Sequence, residues 1–283
     1  MYSLTAQNER GETLELTHNE AFSIISTDGF DPPDAIINTT TGANTDGGFF
    51  NSARFEVRTI ALTIAVNSPA LDNRLVLYKF FTPKSLVKLT YKTEARELYT
   101  EGYVQTMPVD LYAPKELVQV TIICPNPYLM RNKIRRYDFA KVESLFEFPF
   151  SIEAEGIPFS ELAPVQSLVI NNEGDLPVGF NYFLQAHGGS VVNPKIINAD
   201  TGEYMQYNLT LADGDAVYAS TKRGQKYVGV ILQSVESNGL RYLVGGSTFF
   251  ELRAGECSLV LDATSGSQYI GGTIDFEEHF AGV

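Results

Sequence analysis

The sequence predicts a mainly β protein made of two antiparallel modules, the first with one helix and the second a sandwich or jelly roll. Short runs with apolar residues at alternate positions recur along the chain, separated by turn signals rich in Gly, Asp, Asn and Pro. One segment carries both a helix start and a helix stop signal. Two prolines, Pro125 and Pro127, end the last strand of the first module, because proline cannot donate to a strand ladder.

Length and composition indicate a folded globular protein. The 283 residues suffice for one large domain or two ordinary ones, each able to bury its own core. Hydrophobic residues make up 44% of the chain and charged residues 19%. No apolar run approaches the roughly 18 residues that span a bilayer, and the first residues lack the basic region and apolar core of a signal peptide. We therefore expect synthesis in the cytoplasm without export by the general secretory route.

The net charge of −13 is unevenly distributed along the chain. Residues 1–140 hold 14 Lys and Arg against 16 Asp and Glu, a balance of −2, whereas residues 141–283 hold 7 against 18, a balance of −11. An acidic surface repels phosphate backbones and anionic membranes. We therefore expect neither nucleic acid nor a membrane as a partner. The short basic cluster Arg131–Arg136 is typical of a solvated face or of a contact with an acidic neighbour.

Cys124 and Cys257 are the only cysteines, and each lies among apolar neighbours. Cysteines in such surroundings are usually small buried core residues. Nothing in the sequence indicates the oxidising compartment that a structural disulfide needs. We predict two buried free thiols.

The run Ser52–Val66 has strand composition, but its apolar residues change parity midway. Phe55 and Val57 lie on one parity, whereas Ile60 and the apolar residues after it lie on the other. A single straight strand with one buried side would not switch, because successive side chains point to opposite faces. Two explanations remain: a bulge near residues 58–59 re-aims the side chains, or the strand leaves the core and enters a contact surface.

A strand that serves two surfaces suits a protein that assembles. The run therefore supplies the candidates for an oligomer interface, which are Arg54, Arg58, Ile60, Leu62 and Ile64. The preceding segment, Ile36–Asn51, is rich in Thr, Gly and Asn and poor in apolar residues, which predicts a long exposed loop or β-arm. We expect this segment to become ordered on assembly.

The single predicted helix begins near Ser68, a possible N-cap, with Pro69 at the first helical position, and it ends at Pro83. Its expected buried face consists of Leu71, Leu75, Tyr78 and Phe81. Three strands are predicted after it, over Leu86–Thr93, Glu97–Gln105 and Glu116–Cys124.

The predicted organisation is an N-terminal β domain over 1–140, a linker over 141–163 and a C-terminal β-sandwich domain over 164–283. The linker mixes glutamates with phenylalanines and prolines. Short strands are predicted after it over Val165–Asn171, Gly179–Ala186, Pro194–Asn198, Tyr204–Leu211, Asp215–Ser220, Tyr227–Leu232, Cys257–Asp262 and Ser267–Phe276. Such short, regularly spaced strands are typical of a sandwich or jelly roll.

Residues that usually perform catalysis are not grouped in this sequence. It has no Gly-x-Ser-x-Gly elbow, P-loop or dinucleotide fingerprint, and none of the three histidines has a second ligand at metal spacing. Glu277 and Glu278 are adjacent, so their side chains point apart in a strand, and Asp213-Gly214-Asp215 is typical of a hairpin turn. We expect no enzyme, no metal site and no cofactor; a glycoside hydrolase would need two carboxylates converging in one groove.

Aromatic residues leave carbohydrate binding open as a function. The chain has 15 Tyr and 18 Phe but no Trp. An exposed platform for stacking on sugars could form on the second module from Tyr204, Tyr207 and Tyr242, together with Tyr218 and Tyr227. In the alternative interpretation these tyrosines are core or rim residues with satisfied hydroxyl groups.

Several short segments occur in an order and spacing that are specific as a set, although none is diagnostic alone. In the first half they are Arg54–Val66, the helical Asn73–Leu75 and Ile123–Tyr128. In the second half they are Asn171–Pro177, Pro194–Asn198 leading to Thr201–Gly202, Ser247–Leu252 with Gly255–Glu256, and Phe280–Val283. Together they resemble the distal tail protein (Dit) family of long-tailed, non-contractile bacteriophages and prophages, over nearly the full length.

The resemblance implies a structural component of a virion tail tip or baseplate, assembled in the host cytoplasm. The first domain would form a homo-hexameric hub ring between the tail tube protein and the tail-associated hub protein. The second, a galectin-like sandwich, would project outward and in some relatives carries a receptor-binding protein. The alternative is a carbohydrate-binding tail-tip module that adheres to the host cell wall through Tyr204, Tyr207 and Tyr242.

Overall fold

A computed structural model describes residues 2–44, 46–111, 115–144, 160–164 and 167–283, with the side chains of 140–144 and 160–164 outside the description. The chain divides into two compact units. The first unit comprises Met1–Asn132 with His279–Val283, and the second comprises Lys133–Glu278. Most of the described elements are strands, which confirms the predicted fold class.

The first unit contains α1 (Ala70–Phe80) and the strands β1 (Ser3–Asn8), β2 (Thr13–Glu15), β3 (Phe22–Asp28), β4 (Ala35–Thr40), β5 (Phe49–Phe55), β6 (Arg58–Val66), β7 (Leu86–Lys92), β8 (Glu97–Thr106), β9 (Val109–Asp110), β10 (Leu117–Cys124) and β11 (Leu129–Arg131). The second unit contains β12 (Arg135–Asp138), β13 (Ala140–Ser144), β14 (Ser160–Pro164), β15 (Ser167–Asn172), β16 (Asn181–Ala186), β17 (Val191–Val192), β18 (Lys195–Asn198), β19 (Tyr204–Gln206), β20 (Thr210–Leu211), β21 (Ala216–Ser220), β22 (Tyr227–Leu232), β23 (Val235–Asn238), β24 (Gly255–Asp262) and β25 (Ile270–Phe276), with 3-10 turns at Leu240–Tyr242 and Ser267–Tyr269. The last strand, β26 (His279–Phe280), belongs to the first unit.

The first unit is organised around an antiparallel sheet with the strand order β2-β1-β7-β8-β10-β6-β3. Strand β10 pairs with β6 in register from Leu117↔Ala65 to Cys124↔Arg58. Alternate apolar side chains of both strands therefore point into one core, in line with the predicted alternation. The three strands predicted after the helix are confirmed as β7, β8 and β10.

The run Ser52–Val66 is divided between two strands of different sheets. Strand β5 pairs with β4 in a separate hairpin, whereas β6 pairs with β10 and β3 in the main sheet. Residues Glu56 and Val57 lie between the two strands. The parity change therefore marks a change of sheet, not a bulge inside one strand.

The helix is confirmed over Ala70–Phe80, but its predicted buried face is wrong for three of its four residues. Leu71, Leu75 and Tyr78 are 58%, 45% and 39% exposed, whereas Leu77 and Phe80 are buried. Phe81, just after the helix, is fully buried as expected. Ser68 makes no side-chain cap, and Pro69 is the N-cap residue. The helix thus presents a second apolar face to solvent, opposite the face that packs on the core.

The second unit is a sandwich of two main antiparallel sheets. Their strand orders are β12-β25-β16-β21-β22-β23 and β15-β24-β18-β19. Side chains from both sheets fill one core, among them Tyr182 and Ile274 from the first sheet and Ile196 and Leu259 from the second. The predicted sandwich is confirmed in architecture. Cys124 and Cys257 are free and fully buried, each in the core of its own unit, as predicted.

The compact units differ from the predicted domain ranges at two places. Strand β12 lies in the second unit because it pairs with β25, and His279–Val283 lie in the first unit because β26 pairs with β11. In the predicted linker 141–163, residues 145–159 lie outside the described residues. The flanking strands β13 and β14 pair with each other.

Candidate assembly surface

The hairpin of β4 and β5, here called the arm (Ala35–Phe55), lies outside the hydrophobic core. None of its strand residues is buried. Three of its apolar side chains, Ile37, Phe49 and Phe50, are 56%, 69% and 66% exposed. An isolated two-stranded hairpin is at best marginally stable in water. The segment predicted as an exposed loop or β-arm is therefore a β-hairpin whose apolar side chains have no cover within the described chain.

The base of the arm is tied to the first unit by polar and aromatic contacts. The Glu56 backbone N–H donates to the Asp34 carbonyl at 3.0 Å and closes the two ends of the hairpin. The Phe55 ring meets the Tyr128 ring edge-on, with centroids 6.0 Å apart. The base is thus fixed, while the arm beyond it has no buried residue.

Arg58 fixes the chain immediately after the arm. Its side chain is only 2% exposed. Its guanidinium donates to the carbonyls of Pro127 at 2.7 Å, Asp31 at 2.8 Å and Ala281 at 2.6 Å, and also to that of Gly29. Burial lowers the pKa of Arg58 from its ordinary value, yet a guanidinium stays charged in proteins. One buried cation therefore joins four chain segments of the first unit.

The exposed face of the helix forms a second apolar surface, here called the helix stripe: Leu71, Leu75 and Tyr78. These positions are spaced i, i+4 and i+7, so they lie in one row along the helix. Val76, about 100° around the helix from Leu75, lies outside this row and is 47% exposed. Arg74 flanks the stripe and pairs with Glu116 at 2.9 Å. The helix stripe itself carries no charge.

The structure places the predicted interface residues in different environments. Ile60, Leu62 and Ile64 are fully buried in the core of the first unit, and Arg58 is bonded to carbonyls. Only Arg54, on β5, is exposed. Four of the five candidates therefore support the fold and do not form a surface in this structure.

The structure separates the predicted sugar-binding tyrosines. Tyr207 is fully buried, and its hydroxyl hydrogen-bonds the Tyr182 hydroxyl inside the sandwich. Burial raises the pKa of both tyrosines. Tyr204 is half-buried with the Lys195 ammonium 4.2 Å from its ring centroid, and the Arg241 guanidinium carbon lies 4.6 Å from the ring centroid of Tyr242. Tyr207 therefore cannot stack on a sugar, and cations already lie over the other two rings.

The carboxylates considered for catalysis have structural partners. The fully buried Glu278 accepts from Arg135 Nε at 3.1 Å and from the backbone N–H of Glu173. Burial alone would lower the pKa of Arg135, but the charges of Glu278 and Glu173 raise it. Asp215 accepts from the backbone N–H groups of Ala212 and Gln233. Both acids therefore have structural hydrogen-bond partners within the second unit.

The described residues offer little for small-ligand chemistry. A cleft of about 300 Å³ in the first unit lies beside the end of α1 and is lined by charges of both signs, such as Arg10, Lys79 and Glu9. Arg10 is already engaged with Glu12 at 2.8 Å. Within the described ranges, no group of three His, Cys, Asp or Glu is placed to hold a metal ion. No described helix is long and apolar enough to cross a membrane.

Sequence reasoning missed the arm tip and misassigned the helix stripe. The adjacent Phe49 and Phe50, in a segment otherwise rich in Thr, Gly and Asn, were the available signal for an apolar contact. For the helix, the available signal was the presence of apolar residues on two opposite faces. Only one of these faces can pack on the core of the first unit, which leaves the other for a contact surface.

Comparison with solved structures identifies the fold. The SPP1 Dit protein (gp 19.1), described as a hub adsorption apparatus in phages that infect Gram-positive bacteria, superposes with a TM-score of 0.66 at 13% identity, covering 98% of this chain and 99% of that chain. A chain of the phage P2 baseplate in its activated conformation superposes with a TM-score of 0.50 at 9% identity, over the full length of both chains. No protein-family model and no curated protein sequence matches. The chain therefore shares the fold of the SPP1 Dit protein, and the resemblance read from the sequence is confirmed at the level of fold.

Proposed function

We propose that this chain is a structural component of a phage or prophage tail tip, with the role of a distal tail protein in the virion tail. Its fold is that of a phage hub protein and extends over both units. Fold alone does not establish function. The observation on which the proposal rests is the arm, a hairpin with no buried strand residue on an otherwise well-packed unit.

Within this role, the first unit would form a ring of six copies between the tail tube protein and the tail-associated hub protein. The second unit would face outward and could hold a receptor-binding protein. An outward acidic domain would limit nonspecific association of free subunits. The charge balance of −11 over residues 141–283, against −2 over residues 1–140, supports this division of roles.

A role without catalysis is supported by the second unit. Its buried acids Glu278 and Asp215 accept hydrogen bonds from Arg135 and from backbone N–H groups. A glycosidase instead keeps two carboxyl groups facing each other across a groove, about 5–10 Å apart.

Native mass spectrometry and electron microscopy of the purified full-length chain test the proposal. We expect particles with the mass of six chains and six-fold rings, with the ring fraction rising with concentration. A chain that stays monomeric at every concentration, alone or mixed with its tail tube protein, would contradict the role.

A second candidate function, carbohydrate binding by the second unit, is favoured by Tyr218. The glycine at position 229 lets the Tyr218 ring lie across β22, since a Cβ there would be 2.1 Å from the ring. Its hydroxyl donates to Glu236, which raises the pKa of Tyr218 to about 12. Tyr227 lies edge-on to it at 5.9 Å and is 45% exposed. Binding of the full chain to a glycan array, lost in Tyr218→Ala, would support this function; an empty array would exclude those glycans.

A further inference from the structure

The first unit exposes two separate apolar surfaces that belong to the same chain. One is the arm, with Ile37, Phe49 and Phe50, and the other is the helix stripe. All six side chains are more than a third exposed, so the two surfaces do not cover each other within one copy. We infer that the arm of one copy packs on the helix stripe of the next copy in the assembly, an inference that rests on the proposed tail-tip role.

The charges of the two surfaces favour this pairing. Of the net charge of −13, residues 141–283 carry −11 and residues 1–140 only −2, so two copies repel each other least through their first units. The only charged residues in the arm are Asp46 near its tip and Arg54 near its base. The helix stripe has none; of the charged residues beside it, Arg74 is paired with Glu116, and Asp72 and Lys79 are of opposite sign. The arm thus carries one charge of each sign and the helix stripe carries none, so their apolar side chains can meet with little repulsion between like charges.

The size of the contact fits one part of a larger interface. The exposed parts of Ile37, Phe49 and Phe50, with the helix stripe, amount to roughly 700 Å², whereas a standard protein interface buries about 1,600 Å². Arm and stripe would therefore account for nearly half of such an interface. The rest would come from the bodies of neighbouring copies.

The pairing joins two different surfaces and is therefore directional. A contact between unlike patches repeats head to tail and closes into a ring when the rotation between copies allows it. A contact of arm with arm, or of stripe with stripe, would instead produce two-fold dimers. This difference makes the inference testable by cross-linking.

The experiment uses two single variants of the full chain, Phe50→Cys and Leu75→Cys, treated with a short bismaleimide. Both native cysteines are fully buried, so the introduced thiols are the accessible ones. We expect a covalent dimer only when the two variants are mixed, and a ladder of covalent oligomers from the double variant. Val235→Cys, 66% exposed in the second unit, controls for random collisions in place of either partner.

Other outcomes overturn the inference in distinguishable ways. Cross-linking of Phe50→Cys with itself would show that arms pair with arms, and cross-linking of Leu75→Cys with itself would show that stripes pair with stripes. Six-fold rings without any arm-to-stripe product would refute the pairing and leave the tail-tip role intact. A chain that forms no oligomer under any condition would refute both.

Charge substitutions supply a second readout that does not depend on cross-linker reach. We expect Phe50→Asp and Leu75→Asp each to reduce the ring fraction at least tenfold at a fixed concentration, with unchanged circular dichroism because both residues are exposed. Val235→Asp should leave the ring fraction unchanged. Rings that persist in both arm and stripe variants would overturn the inference.

Discussion

The two units of this protein have similar cores but differ in how many large apolar side chains they leave exposed. Both bury an extensive apolar core between antiparallel strands. Among the described residues, however, thirteen of the nineteen exposed large hydrophobic side chains lie in the first unit. The described part of the second unit leaves few large apolar side chains uncovered, whereas the first unit leaves an arm and a helix face uncovered. Apolar surface that persists outside a complete core is typical of a unit that functions in an assembly.

The units also differ in how buried polar groups are used. The first unit buries the cation Arg58 against four backbone carbonyls from three other segments. The second buries a neutral pair, Tyr182 and Tyr207, within its sandwich core, and its fully buried carboxylate, Glu278, is paired with the Arg135 side chain. The predictions below test these differences, beginning with the largest expected effect.

Removing the Arg58 side chain should be the most damaging change in the first unit. Arg58→Ala leaves the carbonyls that it binds without a donor, and we expect a loss of about 3–5 kcal/mol in the free energy of unfolding. Hydrogen exchange measured by mass spectrometry should show faster exchange in β6 and β10 with little change in the second unit. Arg223→Ala, whose partner lies at 3.6 Å on an exposed surface, is the matched control and should cost about 0.5 kcal/mol or less. Equal losses of stability in the two variants would refute the structural role assigned to Arg58.

Two leucines on the helix should behave oppositely. Leu77→Ala removes a fully buried side chain and should cost about 3 kcal/mol of stability. Leu75→Ala, at a residue that is 45% exposed, should change stability by about 0.5 kcal/mol or less but weaken oligomer formation. Denaturant unfolding and native mass spectrometry of both variants make the comparison. Equal destabilisation by both would mean that Leu75 supports the folded unit as Leu77 does, and would contradict its assignment to a contact surface.

Two glycines with the same backbone conformation test how closely each unit packs at a turn. Gly29 and Gly214 have φ values of +86° and +87°. A Cβ on Gly29 would lie 2.0 Å from the Thr59 carbonyl oxygen, whereas one on Gly214 would meet nothing within 4 Å. We expect Gly214→Ala to cost about 1 kcal/mol through backbone strain alone, and Gly29→Ala about 2 kcal/mol more. Thermal unfolding of the two variants measures the difference; equal costs would show that the turn at Gly29 relaxes freely.

Alkaline pH should act mainly on the second unit. Burial raises the pKa of Tyr182 and Tyr207, so the folded unit retains protons that the unfolded chain releases above about pH 10. The stabilisation is complete below that pH and declines as the pH rises further. The double variant Tyr182→Phe/Tyr207→Phe should lose about 1 kcal/mol at neutral pH and show a shallower decline between pH 9 and 11 in urea unfolding. An unchanged slope would contradict the role of this pair.

Local alternation explains why most strands could be predicted. The pairing register of β10 with β6 places the apolar side chains of both strands on the same face. The alternation that decides this face can be seen within each strand alone. The same alternation also predicts that the Tyr207 side chain is buried. Met205, Tyr207, Leu209 and Leu211 share one parity and are all buried, whereas Tyr204 has the opposite parity and is half-exposed. Composition suggested a tyrosine platform, but periodicity was the better guide.

The remaining errors concern relations that a single segment does not encode. Leu71, Leu75 and Tyr78 form as regular an apolar row as Leu77 and Phe80 do, and only the position of the sheet decides which row is buried. Arg58 binds backbone carbonyls, which are present at every residue and leave no mark in the sequence. Its acceptor in the C-terminal segment, Ala281, lies far away along the chain.

The closed base of the arm allows the length of the hairpin to vary without disturbing the rest of the first unit. Asp34 and Glu56 are joined by a backbone hydrogen bond, and Arg58 ties Gly29 and Asp31 to the strand that follows. The contacts that hold the body of the first unit together therefore do not depend on the length of the hairpin between Asp34 and Glu56. Since doubling the length of a loop costs only about 0.6 kcal/mol of closure entropy, the segment between Thr41 and Gly48 can accept an inserted epitope or a longer reach. Variation, natural or engineered, is expected to accumulate there first.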